Sequence, residues 1–213
     1  MNAAVVLLAA GGSRRMGQPK LLLPWHTQTV VGQSLAAALR SPVSSVVVVT
    51  GFESEAVASA CQQTVATFAG HPLPTLSLIH NPRWSEGMAT SLQVGLAQLP
   101  DPVDGFFVAL GDMPLVSPTV YALLLHALAK EPDRVHIPVW EGKRGHPVLI
   151  PGSLLAEAQN EMRVVMQQTA FPDIGLRGLL GQQAARVRED SVSCPGVTID
   201  LDTPAEYARY APH

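Results

Sequence analysis

The sequence predicts an α/β fold in which a mostly parallel β-sheet is covered by helices on both faces, as a three-layer sandwich. Short apolar runs of strand length alternate with segments of helical periodicity, which is typical of parallel sheets. The chain has 213 residues, enough to bury one sizeable core. Hydrophobic residues make up 47% of the chain and charged residues 15%, as in a compact enzyme. We therefore expect one domain over residues 1–213.

The first half of the chain has the order of strands and helices expected for βα units. Strands are predicted at residues 3–10, 46–50, 76–79 and 105–110. Helices are predicted at residues 30–40, 54–63 and 89–99. Because the carboxyl ends of parallel strands meet at one edge of the sheet, the loops after the first, third and fourth strands should border one cleft.

Two later helices are predicted from the signals at their N-termini. Ser117 followed by Pro118 is typical of an N-cap and a first helical position, and the helical pattern runs to about Lys130. Thr203 and Glu206 have the spacing of a capping box, so a final helix is expected to follow them.

A glycine-rich, cationic loop follows the first strand, in the segment LAAGGSRRMGQPK at residues 8–20. Its glycines let backbone N–H groups approach an anion closely, and Arg14, Arg15 and Lys20 offset negative charge. The segment lacks the Lys-Ser/Thr pair of a P-loop and the glycine spacing of the dinucleotide-binding fingerprint. It therefore predicts a site for a nucleoside triphosphate of another type.

Acidic residues that suit a hard cation lie in two later segments. Asp112 follows the fourth strand in LGDMP, and Asp200 and Asp202 lie in DLDTP. If residues 200–202 form a strand, both of these carboxylates point to the same side. Magnesium prefers such oxygen ligands and can bridge a triphosphate to an attacking phosphate. The alternative roles are a turn at Asp112 and helix capping by Asp202.

Together these motifs resemble the signature of the MobA-like nucleotidyltransferases, and within them the molybdenum cofactor cytidylyltransferases. The similar segments include LAAGxSxRMGxxK, NPRWSEGMATSL, LGDMP, RGHPV and DLDTP, and they span nearly the whole chain. The resemblance implies a Rossmann-like sandwich of the nucleotide-diphospho-sugar transferase type. It implies transfer of CMP from CTP, with Mg²⁺, to molybdopterin that carries molybdenum, with release of pyrophosphate.

The resemblance also implies roles for residues of the nucleotide site. Lys20, Arg15 and Asp112 would act at the α-phosphorus, and Arg15 is expected to face inward in preference to Arg14. Nucleotide contacts are expected from Leu8, Ala9, Ala10, Gly11, Gly12, Ser13, Arg14, Arg15, Lys20, Asn81, Gly87, Ser91 and Asp112.

For the metal, the resemblance implies Asp112 and Asp202 as ligands, with Asp200 either a further ligand or an outer contact.

The resemblance also favours one base. Guanylyl-transferring relatives have Gly where this chain has Ala10, so the smaller base cytosine is favoured over guanine. Trp84 would either stack on a ligand or simply pack against the protein.

Acceptor contacts are expected from Arg144, His146, Asp173 and Arg177, because GKRGHPV and PDIGLR resemble elements of the same subgroup. Purely structural roles are the alternatives: an ion pair between Asp173 and Arg177, an exposed turn at Lys143-Arg144, and a buried histidine at position 146.

Composition argues against several other classes of function. The formal net charge of -3 gives no general attraction to nucleic acid or to an anionic membrane. Cys61 and Cys194 lack the spacing of a zinc site, and there is no Gly-x-Ser-x-Gly elbow of a hydrolase. No apolar stretch has membrane-spanning length, so a cytoplasmic location is expected.

Two other functions remain open at this stage. One is nucleotidyl transfer to another phosphorylated acceptor, such as a sugar or polyol phosphate. The other is a non-catalytic chaperone that carries finished molybdenum cofactor to a molybdenum hydroxylase. If the protein is a transferase, a molybdenum hydroxylase that receives its product would likewise be a partner.

Overall fold

The structure, a computed structural model, describes residues 1–167 and 176–212. The strands are β1 (Ala3–Ala9), β2 (Pro24–Trp25), β3 (Gln28–Thr29), β4 (Ser45–Thr50), β5 (Thr75–His80), β6 (Gly105–Leu110), β7 (Val135–Trp140), β8 (Lys143–Arg144), β9 (Val148–Pro151) and β10 (Val187–Ser191). The α-helices are α1 (Val30–Leu39), α2 (Ser54–Ala66), α3 (Met88–Leu96), α4 (Pro118–Lys130), α5 (Leu155–Val165), α6 (Arg177–Gln182) and α7 (Pro204–Tyr210).

The main sheet has the strand order β10-β7-β9-β6-β1-β4-β5, with β8 paired to β7, while β2 and β3 form a separate hairpin. Strands β5, β4, β1 and β6 are parallel to their neighbours, as are β7 and β10. The predicted α/β fold with a mostly parallel sheet is confirmed. Strand β9 departs from the parallel pattern, because it is antiparallel to both of its neighbours, β6 and β7. The sequence of its four residues does not indicate whether the strand pairs in a parallel or an antiparallel way.

Strand β1 lies inside the sheet, and all seven of its residues are buried. Val5 and Leu7 pack in the cluster that contains the apolar faces of α1, α2 and α4. Val6 and Leu8 pack in the cluster that contains residues of α3, α5 and α6. Because successive side chains of a strand point to opposite faces, a continuous apolar run indicates a sheet covered on both sides.

The predicted helix starts agree with the structure to within one residue, and the predicted ends to within three. Helix α4 begins at Pro118 after the N-cap Ser117, whose side chain accepts a hydrogen bond from the Thr119 N–H. Helix α7 begins with the predicted capping box of Thr203 and Glu206. Helix α3 starts one residue before its predicted start and ends three residues before its predicted end. In the described part of the chain, no helix is long and apolar enough to cross a membrane.

The strand order places a cleft beside β1. From β1 the chain proceeds to β4 and β5 on one side, and then returns to β6 on the other side. Loops that leave the carboxyl ends of β1 and β6 therefore diverge, and such a reversal of strand order is where open α/β sheets bind ligands.

Candidate active site

A cleft of about 590 Å³ lies at the carboxyl ends of β1 and β6. Its walls come from the glycine-rich loop, the segment before and at the start of α3, the end of β6, and residues 200–202. The lining residues are Leu8, Ala10, Gly11, Gly12, Ser13, Arg14, Arg15, Lys20, Leu21, Trp84, Ser85, Glu86, Gly87, Met88, Ser91, Leu110, Asp112, Asp200 and Asp202.

The glycine-rich loop is folded by its own backbone. Ser13 and Gly17 have φ angles of 52° and 72°, and the Ser13 carbonyl accepts hydrogen bonds from the N–H groups of Met16 at 3.1 Å and Gly17 at 3.2 Å. The Ser13 hydroxyl also accepts a hydrogen bond from the Lys20 N–H at 3.0 Å. This turn returns the chain to the cleft, so Lys20 enters it with a side chain that is only 10% exposed.

Lys20 joins two carboxylates that are far apart in the sequence. Its ammonium donates to Asp112 Oδ2 and to Asp202 Oδ1, the latter at 2.5 Å. Arg15 contacts the other oxygen of Asp202 while its side chain stays 72% exposed. Burial lowers the pKa of Lys20, but the two carboxylates outweigh burial and raise the pKa above its usual value. Lys20 is therefore firmly protonated.

The two aspartates of the DLDTP segment have opposite pKa shifts. Burial raises the pKa of Asp200, and the negative charges of Asp202 and Asp112 raise it further. Burial also acts on Asp202, but hydrogen bonds and charge from Lys20, with charge from Arg15, lower the pKa of Asp202 overall. Asp202 is thus held as a carboxylate anion at the centre of the cluster.

Both of these aspartates line the cleft, although residues 200–202 do not form the strand on which that expectation depended. Helix α7 is capped by Thr203 and Glu206, whose side chains exchange hydrogen bonds with each other's backbone N–H groups. The Asp202 N–H also donates to Glu206 Oε2 at 3.0 Å. The Asp202 carboxylate therefore points to Lys20 and Arg15 and takes no part in the capping box.

The donor set suits a hard divalent cation. Asp112 Oδ1 is buried and has no hydrogen-bond partner among the residues that the structure describes, so an acceptor oxygen is available beside the ion pair. Within residues 1–167 and 176–212, no group of three or more His, Cys, Asp or Glu side chains is arranged to enclose a metal. Mg²⁺ usually takes only one or two carboxylates and completes its shell with water and phosphate oxygens. Asp112 and Asp202 fit that requirement.

Trp84 forms a packed wall of the cleft beside the glycine-rich loop. A Cβ atom added at Gly12 would lie 2.8 Å from the Trp84 ring, and one added at Gly51 would clash with the same side chain. The Phe52 and Trp84 rings have centroids 5.5 Å apart. These glycines therefore allow the indole to pack closely under the loop, while its remaining surface lines the cleft.

Asn81 supports the cleft from behind. Its amide Nδ2 donates to the hydroxyls of Thr90 at 2.8 Å and Ser91 at 2.9 Å, and its Oδ1 accepts from the Arg83 N–H at 3.0 Å. These bonds use both amide protons and Oδ1, and Asn81 does not line the cleft, so it positions the segment from behind. Gly87 precedes α3 with φ of 125°, and the start of that helix faces the cleft.

Most of the predicted nucleotide and metal residues lie together in this cleft, with two exceptions in addition to the acceptor set. Ala9 is 1% exposed and packs in the core on the α1, α2 and α4 side of the sheet. Asn81 is buried behind the wall, as described above.

The predicted acceptor residues do not line the cleft where the structure describes them. Arg144 is exposed on β8, and its Nε donates to Glu189 Oε1 at 2.7 Å. His146 is partly buried, its N–H donates to the Val197 carbonyl at 2.9 Å, and burial lowers the pKa of its ring. Arg177 is exposed at the start of α6, a helix that contacts α5. Asp173 lies outside the described residues.

Several residues of the cleft were not predicted as contacts, although they lie within or beside the predicted segments. Glu86 and Met88 belong to NPRWSEGMATSL, and Leu110 directly precedes Gly111-Asp112. Their position beside the recognised residues was the only available signal. Glu86 is fixed by an exposed ion pair with Arg83, in which the closest N–O distance is 2.6 Å.

Comparison with known proteins identifies the family. Residues 5–185 match the model of the MobA-like NTP transferase domain. The chain belongs to this family. This MobA-like protein is similar to the molybdenum cofactor cytidylyltransferase of Escherichia coli K12, with 25% identity over 202 residues that cover 95% of this chain and 92% of that protein. It is also similar to the nicotine blue oxidoreductase of Paenarthrobacter nicotinovorans, with 29% identity over 214 residues, covering 96% and 94%.

Solved structures agree with the fold. The crystal structure of Rv0371c from Mycobacterium tuberculosis H37Rv has a TM-score of 0.75 and 27% identity, and covers 98% of this chain and 97% of that one. The complex of Rv0371c with manganese gives a TM-score of 0.71 and 24% identity, with 99% and 98% covered. The match to the family model confirms the predicted family, and the cytidylyltransferase subgroup stays a prediction.

Proposed function

We propose that this MobA-like protein transfers CMP from CTP to molybdopterin carrying molybdenum and releases pyrophosphate. The observation that carries this proposal is the convergence of Lys20, Arg15, Asp112 and Asp202 at the glycine-lined cleft. A cluster of this kind suits a polyphosphate with a divalent cation. The nature of the nucleotide and of the acceptor is supported by the similarity to the E. coli cytidylyltransferase.

In the proposed reaction, a phosphate oxygen of the acceptor attacks the α-phosphorus of CTP. A new P–O bond forms, the bond from the α-phosphorus to the oxygen that bridges to the β-phosphate breaks, and pyrophosphate leaves with that oxygen. The attacking phosphate is already ionised at neutral pH, so the step requires no strong general base. Alignment and charge neutralisation supply the catalysis, with Lys20 and Arg15 at the phosphates and backbone N–H groups of the loop beside them.

Asp112 and Asp202 would hold Mg²⁺, with Asp200 next to them. When bound, this ion neutralises phosphate charge and orients the phosphate oxygens. The Lys20 ammonium now lies between Asp112 and Asp202, so it would turn from the carboxylates toward the phosphates when the substrate enters. The manganese complex of Rv0371c supports a divalent ion in this fold.

The choice of base depends on Ala10, which lines the cleft and is 6% exposed. We expect Ala10→Gly to reduce the preference for CTP over GTP several-fold, because the backbone then leaves more room for a purine. Ala9→Gly is the matched control, since the Ala9 methyl group is buried in the core away from the cleft. Steady-state constants for both nucleotides measure the effect. Unchanged discrimination in Ala10→Gly contradicts this account of the base pocket.

The proposed activity is tested by incubating the protein with Mg²⁺, molybdopterin and either CTP or GTP, and by following pyrophosphate release. We expect release with CTP that requires the acceptor and is lost in Asp112→Asn. Asp133→Asn is the control, because that carboxylate is 83% exposed and lies outside the cleft. If neither nucleotide gives pyrophosphate, the protein is not a transferase of this kind.

A redox function is the second candidate, because the nicotine blue oxidoreductase is 29% identical over nearly the full length. Reduction of nicotine blue with NADH or NADPH, followed by absorbance, tests it directly.

The pyrophosphate assay also covers two further possibilities. Pyrophosphate release with a sugar or polyol phosphate indicates another acceptor, and molybdopterin binding without pyrophosphate release indicates a chaperone. A molybdenum hydroxylase as recipient and a cytoplasmic location stay predictions.

A further inference from the structure

A second cavity, of about 260 Å³, adjoins the cleft at the residue Asp200, which lines both. It lies between residues 198–200 and helix α7, where Glu206, Arg209 and Tyr210 face it. We call this cavity the α7 basin. Because Asp200 lines both cavities and lies two residues from the proposed metal ligand Asp202, the basin borders the metal side of the cleft.

The in-line geometry of nucleotidyl transfer limits where the acceptor can approach. The attacking oxygen must lie opposite the leaving pyrophosphate. In the proposed complex, the glycine-rich loop holds the β- and γ-phosphates, and the wall of Trp84, Gly87 and Ser91 borders the base. The Asp200 side of the cleft has neither function, and Asp200 is also the residue that the cleft shares with the α7 basin.

The chemistry of the α7 basin suits an anion attached to a flat ring. The Arg209 guanidinium lies 5.2 Å from the centre of the Tyr210 ring. Among the ion pairs of residues 1–167 and 176–212, none includes Arg209. A guanidinium fork binds phosphate through two parallel hydrogen bonds and also stacks on planar groups.

Glu206 also faces the basin, but one oxygen of its carboxylate already accepts three hydrogen bonds. Its Oε2 accepts hydrogen bonds from the Thr203 N–H at 2.8 Å, the Thr203 hydroxyl at 2.8 Å and the Asp202 N–H at 3.0 Å. These donors offset the negative charge of Glu206, so the guanidinium of Arg209 remains available to an incoming anion.

We propose that the α7 basin binds the acceptor substrate, a phosphate monoester carried on a flat heteroaromatic ring system, with Arg209 on its anionic groups and Tyr210 supporting the guanidinium. This inference rests on the function proposed above and assigns its acceptor site. It also differs from the sequence expectation, because Arg144 and Arg177 do not line the cleft, whereas Arg209 lines the basin that shares Asp200 with the cleft.

The test measures direct binding of molybdopterin to the protein by equilibrium dialysis, together with KM for CTP. Arg209→Ala is compared with Arg209→Lys and with the matched control Arg40→Ala. Arg40 is likewise exposed and lies over an aromatic ring, 5.0 Å from the centre of Phe68, but it lines a different cavity. All variants are first checked for wild-type thermal unfolding.

We expect Arg209→Ala to raise the Kd for molybdopterin about ten-fold, which is the size of one charge-assisted contact. KM for CTP should not change, Arg209→Lys should recover part of the affinity, and Arg40→Ala should bind as the wild type does. Equal binding by Arg209→Ala and wild type, equal weakening in Arg40→Ala, or no binding by the wild type overturns the inference. Arg209-dependent binding without pyrophosphate release instead overturns the transferase function and leaves the basin assigned.

Discussion

Replacing Lys20 by methionine removes the ammonium group that bridges Asp112 and Asp202 while keeping a side chain of similar length. The three side chains are largely withdrawn from water, with exposed fractions of 10% for Lys20, 17% for Asp112 and 16% for Asp202. Without the ammonium group, the two carboxylates repel each other, and Asp200 adds a third acidic group nearby. We therefore expect a loss of stability as well as a loss of activity.

The size of this effect follows from the burial of the pair. Removing one partner of a buried ion pair costs about 3 to 5 kcal/mol in the free energy of unfolding. Arg15 still neutralises part of the charge of Asp202, and the cleft admits water, so about 2 to 3 kcal/mol is expected here. For a chain of this length, that loss lowers Tm by about 4 to 12 °C.

Thermal unfolding in EDTA and in excess Mg²⁺ measures both the loss and its cause. A divalent cation between the two carboxylates should replace the missing charge, so Mg²⁺ should raise Tm of Lys20→Met more than that of the wild type, in the absence of nucleotide. Lys130→Met is the control, because Lys130 is exposed at the end of α4 and should change stability by less than about 0.5 kcal/mol.

Two results refute this reasoning. If Lys20→Met unfolds in EDTA at the wild-type temperature, the ammonium group does not hold the carboxylates together. If Mg²⁺ raises Tm of both proteins equally, the cation does not bind where Lys20 now lies.

Three further predictions concern the cleft and the core. Asp202→Asn should lower kcat for pyrophosphate release at least about 100-fold, and Asp200→Asn should lower it less, because of the two aspartates only Asp202 contacts both Lys20 and Arg15. Equal losses of kcat in the two variants contradict the metal assignment. Gly87→Ala should lower the free energy of urea unfolding by about 1 to 2 kcal/mol, because φ is 125° at that position. Gly181→Ala in α6 has open space around the added Cβ and should be neutral or stabilising, and a Gly87→Ala variant as stable as the wild type refutes the strain. Burial raises the pKa of Cys61 to about 12, so a thiol reagent at about pH 8 should modify the native protein only at the partly exposed Cys194. The reagent should reach Cys61 when the protein unfolds, and fast reaction of both cysteines in the native state contradicts the burial of Cys61.

Local features of the fold were accessible from the sequence because their causes are local. The apolar run of β1 predicts a strand buried on both faces, and seven buried residues confirm it. The N-cap at Ser117 and the capping box at Thr203 each depend on groups within three residues, so their pattern is readable without tertiary information. The antiparallel strand β9 was not readable, since strand direction depends on a distant partner.

The sequence by itself determined the α/β class, the first parallel strands, the starts of the five predicted helices and the residue types of the proposed triphosphate site. Only the tertiary structure decided which of those residues meet. Lys20 is 92 residues from Asp112 and 182 residues from Asp202, and no periodicity extends over such separations. The strand order brings β1 and β6 side by side, and the segment before α7 packs against the loop after β6 through the hydrogen bond from the Leu201 N–H to the Asp112 carbonyl. The same packing directs Arg144 to Glu189 and places Arg209 beside Asp200, because long-range contacts follow from how the elements pack together and not from the sequence of any one of them.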